Sequence, residues 1–162
     1  MKRLCILLLC GLATGCSPKK SGFSIYSDEK GGFSLEVPAD WTVIRNDNGA
    51  QFLAPPGKGK RSVRSYLTAD RYGKDRPLML ATVGPATPAT LSGLAAKEYR
   101  WRKPLPQSPE FAPKGDSLTR AVVLERKDCV YVVSLVSPAS EGDRFAAQFQ
   151  RSLETFWVKD RP

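Results

Sequence analysis

Two groups of cationic side chains hold the densest chemistry in this sequence. Lys58, Lys60, Arg61, Arg64, Arg71, Lys74 and Arg76 form one group, and Arg100, Arg102 and Lys103 around Trp101 form the other. Guanidinium and ammonium groups bind oxyanions, and Arg grips phosphate or carboxylate with two parallel hydrogen bonds. The residues expected to meet an anionic surface are Lys58, Lys60, Arg61, Arg64, Arg100 and Arg102. An anionic lipid or an acidic envelope protein would supply that surface. The plainer reading of the same residues is a solvated sheet edge, where Lys and Arg block strand-to-strand aggregation. Tyr66, Tyr72 and Trp101 interleave with the cations as in binders of single-stranded nucleic acid. The export signal described below argues against a nucleic-acid partner.

Catalytic patterns are sparse. The chain has no histidine, which excludes Ser-His-Asp and Cys-His catalysis and any histidine-based metal site. Gly31-Gly32 and Gly57-Lys58-Gly59 lack the spacing of a phosphate loop, and a calcium loop of the Asp-x-Asp type is missing. Asp40 and Asp47 fall in turns, and no carboxylate has an evident partner. No metal or other cofactor is expected. Cys129 lies in the apolar run Cys-Val-Tyr-Val-Val and reads as a buried core thiol.

Cys16 is different. Lys2 and Arg3 precede an apolar run from Leu4 to Leu12, and Ala13-Thr14-Gly15 leads into the cysteine. This is the layout of an export signal, too short to span a membrane. Leu12-Ala13-Thr14-Gly15-Cys16 resembles the lipobox of bacterial lipoproteins, with Ala13 where Leu is usual. The resemblance implies diacylglycerol on the Cys16 thiol, cleavage before it, and acylation of the new amine. An ordinary signal peptide cut at the same bond is the alternative. Several acyl chains at about 0.8 kcal/mol per buried methylene give a stable anchor. Ser17, rather than Asp, points to the outer membrane, with the domain facing the periplasm.

Of 162 residues, 147 remain after residues 1–15 are removed, which suits one domain. Lys2 and Arg3 leave with the signal, so 23 basic and 16 acidic residues remain, a net charge of +7. Cys5 and Cys10 also leave, and Cys129 is then the one thiol beyond the lipid site, so no internal disulfide is possible. The expected division is signal 1–15, tether 16–22, domain 23–158 and tail 159–162. The segment 17–22 reaches only about 20 Å when extended, which holds the domain close to the bilayer.

The elements that must position these groups read mainly as strands. Phe33 to Val37 alternates apolar and polar residues until Pro38 stops it. Trp41 to Arg45 and Ala50 to Ala54 follow, joined by Asn46-Asp47-Asn48-Gly49, where Asn-Gly suits positive φ. Ser62 to Ala69 alternates with Val63, Ser65, Leu67 and Ala69 on one face. Leu78 to Val83 is a short strand, and Gly84 to Thr90, rich in Pro and Ala, reads as a loop. A turn at Ser92-Gly93 leads into a strand from Ala95 to Arg102. On it Trp101 is expected to bury inward while Arg100 and Arg102 project outward. Residues 104–115 form a proline-rich loop. Leu118 to Arg126 and Cys129 to Val136 form a hairpin rich in β-branched residues. Ser140 to Asp143 resembles a capping box, and Phe145, Phe149, Leu153 and Phe156 make the apolar stripe of a helix.

The fold class is therefore α+β, an antiparallel sheet with a C-terminal helix packed on it. With Phe33-Ser34-x-x-Val37-Pro38-x-x-Trp41, Phe52 and the stripe from Phe145 to Phe156, the chain resembles the PsbP-like family. The resemblance implies an α/β/α sandwich and covers about Phe23 to Val158. The matching positions are structural, so no functional residue carries over. The expected function is a membrane-anchored, non-enzymatic binding or accessory module of the envelope, its partners being the membrane through Cys16 and an anionic lipid or envelope protein. A hydrolase using carboxylates or a Ser-Lys pair is the competing class, and a carrier of apolar ligands the third.

Overall fold

Among the described residues, alternating apolar positions make ten strands and one amphipathic stretch makes the α-helix. The structure is a computed structural model that describes residues 22–56, 63–76, 78, 83–105, 115–141 and 144–159. The strands are β1 (Phe23–Asp28), β2 (Phe33–Pro38), β3 (Thr42–Asn46), β4 (Gly49–Leu53), β5 (Tyr66–Gly73), β6 (Thr87–Leu91), β7 (Leu94–Pro104), β8 (Asp116–Glu125), β9 (Cys129–Pro138) and β10 (Trp157–Val158). A 3-10 turn at Ala139–Glu141 precedes α1 (Ala146–Thr155).

Two antiparallel sheets result. A large sheet of seven strands has the order β3-β4-β5-β9-β8-β7-β6, and a small sheet of three has the order β1-β2-β10. β9 returns between β5 and β8, so the most β-branched segment of the chain lies near the middle of the large sheet. The small sheet and α1 share one face of the large sheet. Tyr26 meets Phe52 edge-on at 5.0 Å, Phe33 stacks on Phe156 at 5.5 Å, and Trp41 meets Phe145 edge-on at 5.2 Å. Phe52, Phe149, Phe156, Leu67 and Val133 are fully buried between these layers. The expected antiparallel sheet with a C-terminal helix packed on it is the observed architecture, with Trp41, Phe149 and Cys129 buried.

Local chemistry explains the joints. Asn46 pairs with Gly49, so the β3–β4 turn consists of Asp47 and Asn48, with Asn46 Oδ1 accepting the Asn48 N–H at 2.8 Å. Of the Asn-Gly pair expected at positive φ, Asn48 does not adopt it and Gly49 lies at 159°. Gly49 serves another purpose: a Cβ there would collide with the Ala69 carbonyl on β5. The β6–β7 turn does use positive φ, at Ser92 (56°) and Gly93 (74°), the pattern of a type I′ hairpin. Its Ser92 N–H donates to the Leu153 carbonyl at 3.0 Å, satisfying a carbonyl near the end of α1.

Several sequence expectations need correction. The Ser62–Ala69 strand begins later, at Tyr66, and runs on to Gly73. Residues 87–90 are strand rather than loop, because β6 pairs only with β7 and an edge tolerates Pro88. Ser140 does not cap the helix; it lies in the 3-10 turn, and α1 starts at Ala146 with no side-chain cap. β1 and β10 are strands that the residue pattern does not announce. Most of the expected Leu78–Val83 strand lies outside the described residues, as do 106–114, Gly142 and Asp143.

Candidate functional site: a cationic cleft at the turn end of the sheet

The β3–β4, β6–β7 and β8–β9 turns and the end of β5 all lie at one end of the large sheet. Arg71 stands there on β5, directly opposite Tyr131 of β9, and Gly73 stands opposite Cys129. Alternation therefore puts Arg71, Cys129 and Tyr131 on the same face, the one that meets the small sheet. The Arg71 N–H donates to Asn48 O at 2.8 Å, which ties β5 to the β3–β4 turn.

Around these three residues opens a cleft of about 530 Å³. Lys74 follows β5, Arg126, Lys127 and Asp128 come from the β8–β9 turn, Glu125 from the end of β8, and Val158 from β10. A second cleft of about 330 Å³ also includes Arg71, with Tyr26, Asp28, Lys30, Arg45 and residues 46–49 around it. Arg71 thus stands where the two clefts meet.

The electrostatics favour an anion. Four cations line the larger cleft against two carboxylates, and Glu125 is already paired with Lys97 at 2.9 Å. Arg71 is held on its charged side chiefly by a hydrogen bond to the Cys129 thiol, with burial acting in the opposite sense. Among the described residues Arg71 forms no ion pair; Cys129 and Tyr131 line the cleft beside it. Burial first, then the hydrogen bond with Cys129, pushes the Tyr131 hydroxyl up to about 12. Tyr131 therefore keeps its proton, donates it to the Gly31 carbonyl at 3.3 Å, and has no capacity as a base near neutrality.

The residues singled out from sequence are dispersed. Cys16, Lys58, Lys60 and Arg61 lie outside the described residues. Arg64 is exposed just before β5, and Arg102 is exposed on β7. β9 and β8 stand between those two strands, a separation of about 14 Å, so they form no single patch at contact distance. On β7, Arg100 and Arg102 are exposed and Trp101 is half-buried, but the face the arginines share is the one that carries α1. Arg100 donates to Glu98, Glu98 also accepts from Arg120, and the Arg120 guanidinium lies over the Phe149 ring of α1 at 5.1 Å. Arg100 and Arg102 thus share the helix-side face, while Trp101 is half-buried on the other, in a row with Thr119, Val136 and Tyr66. The alternation holds and both arginines remain exposed, as expected, while Glu98 holds Arg100 and the half-buried Arg120 together on the helix-side face.

Residue spacing places Arg71 and Lys74 in a basic cluster but does not join them to Arg126 and Lys127. That union depends on β5 pairing with β9 across the intervening chain. Among the described residues no group of three His, Cys, Asp or Glu could hold a metal ion. The hydrolase alternative needs paired carboxylates or a Ser-Lys pair. Here Ser65 donates to Glu141 and Ser152 to the Glu36 carbonyl, while Glu36 and Glu98 are occupied by arginines.

Similar structures place this architecture. Cyanobacterial PsbP (CyanoP) from Synechocystis sp. PCC 6803 superposes with a TM-score of 0.56 at 13% identity, covering 91% of this chain and 98% of that one. The fold is that of PsbP. LpqN of Mycobacterium tuberculosis, a protein involved in cell envelope biogenesis, superposes on this chain with a TM-score of 0.50 at 14% identity, over 89% of this chain and 88% of LpqN. A protein from Bacteroides thetaiotaomicron VPI-5482 gives a TM-score of 0.56 at 10% identity over 80% of this chain, which spans about half, 46%, of that longer protein. No protein-family model matches the sequence, and no curated protein sequence matches it. At these identities the likeness is one of fold, and chemistry must come from the residues themselves.

Proposed function

We propose that this chain is a lipoprotein of the cell envelope, anchored through Cys16, that works as a non-enzymatic binding or accessory module with an anionic partner. The observation that carries this reading is the place of Arg71: its charge sits where two clefts meet, beside Cys129 and Tyr131, and among the described residues it forms no ion pair. Lys74, Arg126 and Lys127 add to the same field. The anionic contact expected of the basic clusters thereby moves from Arg100, which Glu98 occupies, to the cleft around Arg71. Arg64 and Arg102 remain as outlying cations. The likeness of fold to the envelope protein LpqN supports the setting.

Two measurements test the reading. Labelled palmitate should enter the wild-type protein and not Cys16→Ala; equal incorporation refutes the anchor. Amide shifts on titration with inorganic phosphate should concentrate at residues 71–74 and 126–131 and weaken in Arg71→Ala. Shifts spread evenly over the surface, unchanged by that substitution, refute the cleft as the binding site.

A further inference from the structure

We propose that the outer face of the small sheet is the surface that rests on the bilayer, with Phe23, Ile25 and Trp157 entering the headgroup boundary beside the anchor. This deepens, and rests on, the reading of Cys16 as the lipidated residue.

Strand register carries the first step. Phe23 pairs with Pro38, Ile25 with Glu36, and both Ser27 and Trp157 with Ser34. Because side chains alternate, Phe23, Ile25 and Trp157 share one face, opposite Tyr26, Phe33 and Leu35, which are buried against the large sheet. Phe23 and Trp157 are each 44% exposed and Ile25 is 74% exposed. A solvated sheet face is expected to be polar, so an apolar cluster on it marks a contact surface.

The chemistry of the face fits a lipid interface. Trp is amphipathic and prefers the headgroup level, where its ring is apolar and its N–H finds a partner. Trp157 stands beside a groove of about 280 Å³ shared with Ser27, Ser34 and Lys159. Glu36, the one carboxylate between the apolar residues, is neutralised by Arg151 Nε at 2.7 Å. From strand spacing and rise, Trp157 and Ile25 lie about 12 Å apart, so both reach a flat surface together.

Chain geometry selects the bilayer as occupant. Cys16 stands seven positions before Phe23, and the intervening six residues span at most about 20 Å. β1 is the strand that the anchored segment enters, so its exposed side chains are the nearest part of the domain to the headgroups. The rival occupant is a second copy of the chain, seated on the same outer face.

The test uses the full acylated protein in phosphatidylethanolamine–phosphatidylglycerol vesicles whose acyl chains carry bromine. The chain has three tryptophans, so quenching of Trp157 should remove on the order of a quarter of the emission. Trp157→Phe should lose at least about half of that quenching, and Ile25→Glu should reduce it while the protein still floats with the vesicles. Ile25 is exposed, so its variant should keep the wild-type thermal midpoint, which separates lost contact from lost fold. Failure of the wild-type protein to float refutes the anchor itself. Flotation without bromine quenching overturns the proposed face alone. A dimer in detergent that Ile25→Glu dissolves, again without quenching, assigns the face to a second copy and overturns the proposal.

Discussion

Arg100 of β7 stands directly opposite Arg120 of β8, and a single carboxylate, Glu98, accepts hydrogen bonds from both at 2.9 and 2.8 Å. Like charges paired across strands repel. Glu98 removes that repulsion and lets Arg120 lie over Phe149 beneath the helix. The trio thus joins β7 and β8 to the core beneath α1 rather than forming a free basic surface.

Glu98→Gln should destabilise the fold by about 1–3 kcal/mol, because Arg120 is left half-buried without a countercharge. Burial pushes the Glu98 carboxyl up, but the hydrogen bonds from Arg100 and Arg120 outweigh it and hold it below the ordinary glutamate range. A depressed carboxyl contributes stability above its unfolded value and loses it as pH falls through the folded one. Urea unfolding of the wild type should therefore weaken with acidification below the ordinary glutamate range, and more steeply than in Glu98→Gln. Parallel pH profiles for the two proteins would contradict this.

Phe149 is fully buried beneath α1, and truncating it empties a volume that the surrounding rings cannot refill. Phe149→Ala should cost about 3–5 kcal/mol by denaturant unfolding. An unchanged midpoint would remove the helix stripe from the core.

Tyr131 carries an alkaline signature. With its hydroxyl pushed up to about 12 from 10.0, the folded state resists an ionisation that the unfolded chain undergoes readily. That contribution is complete below pH 10.0 and is lost as pH rises toward about 12. Tyr131→Phe should lose about 0.5–1.5 kcal/mol at neutral pH, with its hydrogen bond to Gly31, yet show a shallower decline in the alkaline window. Identical alkaline melting curves would refute the assignment.

Gly49→Ala should destabilise by about 1–3 kcal/mol, because its Cβ meets the Ala69 carbonyl of an adjacent strand rather than a movable side chain. Gly93→Ala, which meets open space, tests backbone conformation alone, since its φ is 74°. Thermal midpoints of the two variants compare steric with conformational cost.

Much of the core is legible in the residue pattern alone. Leu67 and Ala69, Phe33 and Val37, and the stripe Phe145-Phe149-Leu153-Phe156 follow from periods of 2 and 3.6, and all are buried. The β8–β9 hairpin is legible because its two strands are adjacent in sequence. β6 is not, since Pro88 reads as a breaker until its place at a sheet edge is known. β10 has two residues and exists only through its pairing with β2.

The candidate cleft and the β7 arginines show where local pattern ends. By itself the sequence determined which residues share a face, because alternation is a property of the strand alone. It did not determine which of the two faces meets the core, because that depends on what is stacked there. Hence Arg100 and Trp101 lie on opposite faces as expected, yet it is the arginine face that carries α1 and the half-buried Trp101 that lies on the other. Nor could spacing join Arg71 to Cys129, 58 positions further along, since their meeting requires β9 to return beside β5. Side-chain pattern is local and acts over a few residues; strand order is a choice among non-local pairings, settled by the burial and hydrogen bonding of the whole chain.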